Sequence, residues 1–80
     1  MDDNAILDKL KEIVNRVTGI CIEDENDNLL TMKYGISPAD IVYILLIASS
    51  EMNFEINGDF IDAIGAFSLR SIADEIHTYV

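Results

Sequence analysis

The side chains able to do chemistry are few in this chain, and the most conspicuous is a serine. Ser37 stands in KYGISPADIV, residues 33–42, just behind a glycine and at the head of an almost wholly apolar run. A hydroxyl in that place has two uses. It can carry a covalently attached group, or it can accept a hydrogen bond from the Asp40 amide and begin a helix. For the second use, Pro38 suits the first helical position and Asp40 the positive end. Cys21 and His77 are each the only residue of their type. One of each builds neither a structural zinc site nor a Cys–His nucleophile without further ligands or an orienting group. Cys21 is expected to be a small core hydrophobe, and His77 a surface residue favoured by the negative end of the final helix. Asp24, Asn26 and Asn28 alternate as in a calcium-binding EF-hand loop, but Leu29 and Gly35 occupy the sixth and twelfth positions, where that motif needs Gly and Glu. A solvated acidic loop fits better. No Gly-rich phosphate loop, paired-carboxylate signature or Gly-x-Ser-x-Gly occurs, so neither catalytic residues nor a metal site are expected.

Composition narrows the classes further. Eighty residues, half of them apolar, make one domain spanning residues 1–80 with a single small core. No apolar stretch approaches the roughly 20 residues needed to span a bilayer. The acidic start MDDNAILDKL lacks the basic opening of a signal peptide, and a lone cysteine forms no internal disulfide. A cytoplasmic setting is expected from these features. Fifteen acidic residues oppose five basic ones, for a net charge of −10. Such a field repels nucleic acid and anionic lipid and steers the chain toward basic patches on protein partners.

Four helices are expected to hold these residues. Ile6, Leu10, Ile13, Val14 and Val17 recur at helical spacing over residues 5–18, with Asp3 or Asn4 as the cap, Gly19 as the stop and Glu12–Arg16 as a favourable pair four apart. Gly19–Gly35 reads as a long ordered loop pinned to the core by Leu29, Leu30 and Met32. A second helix should begin at Ser37 and run to about Met52. Its segment IVYILLIA would also suit a buried strand, but the cap signal and the length favour helix. One or two helical turns fit DFIDAIG, with Phe60, Ile61 and Ile64 apolar and Gly65 as the stop. The last helix starts at Ser68 and carries Leu69, Ile72, Ala73, Ile76 and Val80 on one stripe. The fold class is therefore all-α, a small four-helix bundle with a long first loop and a short third helix.

The second helix stands apart. From Ile41 to Ala48 every residue is apolar, so no polar face remains over two turns. Either neighbours wrap it on all sides, or its outer face meets a partner or an apolar ligand. Tyr43, an aromatic with a polar tip, suits the contact.

In this order of elements the chain resembles the acyl carrier protein family over nearly its whole length. LKEIVNRVTGI looks like the family's first helix and glycine exit, SLRSIADEI is similar to its closing helix, and the step from Ile56 to Ile64 fits as well. The likeness extends to divergent acyl-carrier-related proteins of peptide-modification systems. The family's Gly-x-Asp-Ser-Leu motif bears 4′-phosphopantetheine on its serine. Here GISPA puts Pro38 in that serine's register and Ser37 in the aspartate's. In the family the outer face of the central helix is acidic and docks on basic partners. The matching positions are Ala39, Asp40, Tyr43, Leu46, Ser49 and Ser50, and only Asp40 keeps a charge.

The resemblance implies a non-catalytic carrier-like module, and the departure at Pro38 implies that it lacks the arm and binds protein partners through Ala39, Asp40, Tyr43, Leu46 and Ser50. The alternative is a working carrier with 4′-phosphopantetheine on Ser37 bearing an acyl or aminoacyl thioester. A third reading is a small regulatory binding protein. Biosynthetic or modification enzymes are the expected partners, and a second copy could also cover the apolar helix.

Overall fold

A computed structural model describes residues 2–64 and 67–79. Among them the chain is all-helical, in the order α1 (Asp3–Thr18), α2 (Pro38–Met52), α3 (Gly58–Ile64) and α4 (Leu69–Tyr79), with no strand. The IVYILLIA segment is helix throughout. The cap signal at Ser37 and an unbroken hydrogen-bonded run of fifteen residues outweigh its β-branched content.

α1 begins one to two residues earlier than the apolar spacing implied. Its cap is Asp2, not Asp3 or Asn4: Asp2 Oδ1 accepts from the Ala5 amide at 2.8 Å. Asp3 is thereby turned toward α4, with its carboxylate 3.0 Å from His77 Nδ1 and 3.9 Å from Arg70. Gly19 ends α1 at φ 76°, a left-handed conformation that a residue without Cβ adopts freely, and its amide donates back to Asn15 O at 2.8 Å. Ile6, Leu10, Ile13 and Val14 are fully buried. α1 packs closely on both α2 and α4, and α3 leans on α4. The core draws on all four helices and on Ile22, Leu29 and Ile36 of the first connection. Phe60 of α3 is its largest fully buried side chain, stacked on Phe54 at 5.2 Å and tilted against Tyr79 at 5.8 Å.

Between Asp24 and Gly35 the first connection folds as successive turns. Asp24 Oδ1 accepts from the Asn26 amide and Asn28 Oδ1 from the Leu30 amide, each at 2.9 Å, which are local turns of the Asx type. These oxygens brace the loop's own backbone. The loop is fastened to the start of α4 and the residues just before it: the Leu29 amide donates to Phe67 O at 2.8 Å, the Arg70 amide to Glu25 O at 2.9 Å, and the Arg70 guanidinium Nε to Glu25 Oε1 at 3.1 Å. Leu29 is the apolar pin. Met32 is not one: it is 99% exposed, because the turn closed by Gly35 N to Thr31 O (3.2 Å) carries it outward. Leu30 is only partly covered. Ser68 starts α4 as expected, its Oγ accepting from the Ser71 amide at 3.1 Å. The Gly65 stop and the Val80 end of the α4 stripe lie outside the described residues.

Candidate docking surface

Proline dictates the local geometry at Ser37. It disfavours helical backbone in the residue before it, and Ser37 accordingly lies extended at φ −85°, ψ 159°. That is the conformation a helix cap needs. Ser37 Oγ accepts from the Asp40 amide, and Asp40 Oδ2 in return accepts from the Ser37 amide, both at 3.2 Å. The two residues thus satisfy each other's orphan donors as a capping box. Asp40 is half-buried in this arrangement and is less free to meet a partner than its place in the sequence implied. Ser37 is exposed, and its hydroxyl proton is not used by the cap. At the other end, Asn53 closes α2 in the left-handed conformation at φ 56°, its amide donating to Ser49 O.

Between these caps α2 is not wrapped. Among the described residues its close helical neighbour is α1 alone, and its buried residues are Ile41, Ile44, Leu45, Ala48 and Met52. Val42, Tyr43 and Leu46 point the other way and are 57%, 58% and 55% exposed. Ala39 and Ser50 extend the same exposed stripe toward the two ends of the helix, while Ser49 turns its hydroxyl onto Leu46 O at 2.8 Å. Of the positions expected to meet a partner, Ala39, Tyr43, Leu46 and Ser50 therefore share one accessible face.

Beside that face a cavity of about 170 Å³ opens to solvent. Pro38, Ile41, Val42 and Leu45 form its α2 wall, with Leu30 of the first connection, Ile61 of α3 and Phe67 opposite. It is somewhat larger than the ~150 Å³ engineered apolar cavity that stays dry and takes up benzene, and well below the roughly 300 Å³ at which pockets for drug-sized ligands begin. One aromatic or branched aliphatic side chain would fill it. None of Val42, Leu30, Ile61 and Phe67 was expected at a contact site, and Leu30 and Ile61 were expected only as apolar packing residues. Val42 lies four residues before Leu46 and could have been found on a helical wheel, whereas the other three meet it only through tertiary folding.

The remaining reactive groups are kept apart. Cys21 is exposed rather than in the core, its Sγ accepting from Asn15 Nδ2 at 3.4 Å. The neighbouring Ile22 takes the buried position instead. His77, exposed as expected, pairs with Asp3 at the start of α1, while Cys21 follows its end. A sixteen-residue helix separates them by about 24 Å. No group of three or more His, Cys, Asp or Glu suited to holding a metal occurs among the described residues, and no described helix is long and apolar enough to cross a membrane.

Ion pairs distribute the charge unevenly. Glu51, at the end of α2, is clasped by Lys9 Nζ at 2.7 Å and Arg16 Nη1 at 2.8 Å, and Arg16 also holds Glu12 at 2.7 Å. In the loop Asp27 accepts from Tyr34 Oη at 2.6 Å and from Lys33 Nζ at 3.0 Å. The Tyr34 hydroxyl first, and Lys33 second, hold the Asp27 carboxyl below its usual range.

No family model matches this chain, and neither a curated protein nor a solved structure matches it.

Proposed function

We propose that this chain is a non-catalytic module, resembling an acyl carrier protein but without its phosphopantetheine arm, that binds protein partners through α2. The observation carrying the reading is the uncovered stripe of Val42, Tyr43 and Leu46 on a helix whose opposite side is buried. Exposed apolar side chains of this size, gathered on one face beside an apolar cavity, are a recurring feature of interaction sites. The capping box supports the armless part of the proposal, since Ser37 has a structural task and Pro38, in the family's hydroxyl register, lines the cavity wall. Partners would be biosynthetic or modification enzymes, as the family resemblance implies. Tyr43→Glu is expected to weaken partner binding with an unchanged helical circular dichroism spectrum. Unaltered affinity in that variant would count against α2 as the contact.

One observation favours the carrier alternative: Ser37 is exposed, and its hydroxyl proton is not engaged by the cap. Intact mass after co-expression with a broad-specificity phosphopantetheinyl transferase separates the two readings. No mass gain is expected. A gain of one phosphopantetheine that disappears in Ser37→Ala would establish the carrier and retire the armless module.

A further inference from the structure

The stretch that builds the uncovered face also lacks positive charge. From Tyr34 to Leu69 the chain contains no Lys, Arg or His, but has five carboxylates, Asp40, Glu51, Glu55, Asp59 and Asp62. Glu51 is neutralised by its α1 clasp. Glu55, Asp59 and Asp62 are exposed, the last two on the same short helix as the cavity-lining Ile61. Four of the chain's five basic residues are held in ion pairs: Lys33 with Asp27 and Arg70 with Glu25 outside this stretch, and Lys9 and Arg16 with Glu51 at the far end of α2. The apolar stripe on α2 and the α2 and α3 walls of the cavity thus sit on helices whose own charged residues are all negative.

Resting on the docking reading above, we propose that the α2–α3 face receives a basic amphipathic helix of a protein partner, with one large apolar side chain in the cavity and Lys or Arg on its flanks facing Asp59 and Asp62. Three observations select this occupant. The cavity takes one side chain, not an extended ligand. The described residues offer no sheet edge for an added strand, so main-chain pairing is closed and a helix laid against a helix face remains the applicable mode. A second copy would bring another −10 against the same field, which opposes self-association.

The test uses the full chain, labelled with 15N, and a synthetic helix of about 16 residues, long enough to be helical. Leu and Phe line one face of the peptide and Lys flanks them. Controls are a scrambled peptide of the same composition and one with every Lys replaced by Glu. Near-physiological salt is expected to leave amide shifts concentrated around Leu30, Val42, Leu46 and Ile61. Binding is expected to be roughly tenfold or more tighter than either control and to weaken at least as much in Leu46→Glu. Equal binding by the scrambled peptide, or an unaffected Leu46→Glu, would reduce the effect to diffuse charge attraction and overturn the proposal. Equal binding by the Glu peptide at the same residues would overturn the basic class while leaving α2 a docking face. Shifts absent from α2 with all three peptides would overturn both readings. Sedimentation showing dimers that Leu46→Glu disperses would assign the face to a second copy and also overturn the proposal.

Discussion

The α1–α4 side and the α2–α3 side of this molecule use the same kinds of apolar residue to opposite ends. On α1 and α4 the apolar positions form one stripe that disappears into the core, and the outward positions are charged and cross-linked. Arg70 reaches Glu25, Asp3 and Asp74, and His77 reaches Asp3. On α2 the apolar positions go all the way round, so a helix that can bury only one side leaves Val42, Tyr43 and Leu46 in water. Its outer side lacks both the charge that would keep it inert and the neighbouring helix that would bury it. The difference teaches that exposure, more than composition, marks the candidate site. Ile41 and Val42 are adjacent β-branched residues, one 4% and the other 57% exposed.

The comparison breaks most readily on the sealed side. Phe60→Ala removes a fully buried ring in contact with Phe54 and Tyr79, and is expected to cost about 3–5 kcal/mol, a large part of a small domain's stability. Urea unfolding measures it, and a loss below about 1 kcal/mol would show that α3 is not held by this core. Next comes the junction between the two sides. Ser37→Ala deletes the cap acceptor for the Asp40 amide and should lower stability by about 1 kcal/mol, whereas Ser37→Thr, which keeps an acceptor oxygen, should lose little. Equal losses in the two variants would mean that the box contributes nothing.

A smaller effect concerns the clasp that joins α1 to the end of α2. Hydrogen bonds from Lys9, and then from Arg16, hold the Glu51 carboxyl below its ordinary value of 4.5. Because the folded chain favours the ionised form, the clasp's contribution is whole above pH 4.5 and is lost as the pH falls through the lower folded-state value. The unfolding midpoint should therefore drop less between pH 7 and pH 3 in Glu51→Gln than in the parent chain, all other carboxylates being common to both. Identical drops would show that the clasp is fully screened by solvent. Smallest of all, Leu46→Glu should change stability by no more than about 0.5 kcal/mol, since its side chain is already in water. A loss several times larger would mean that the outer face of α2 is part of the fold rather than a surface held for contact.

Much of the architecture was legible because it is written in local chemistry. Helical spacing marked α1 and α4, Ser-Pro-x-Asp marked the start of α2, and Gly19 marked the end of α1. Each of these rests on hydrogen bonds within a few residues of chain, which is why they can be read without knowing the rest of the fold. The errors came where local patterns were ambiguous. Asp2, Asp3 and Asn4 are all competent caps, and only the position of the first turn selects Asp2. Cys21 and Ile22 compete for one inward position, and the core takes the larger hydrophobe. Met32 and Leu29 are equally apolar, but the turn between them sends one inward and the other out.

By itself the sequence determined that the central helix would be apolar on every side and would begin at Ser37, because residue type and cap geometry settle both. Only the tertiary structure decided which side of that helix is covered, since burial depends on where α1 lies and no local pattern encodes that placement. The cavity likewise exists only because folding brings Leu30, Ile61 and Phe67, distant along the chain, to face Val42. The ingredients of a contact surface were legible; their assembly on one face was the work of packing.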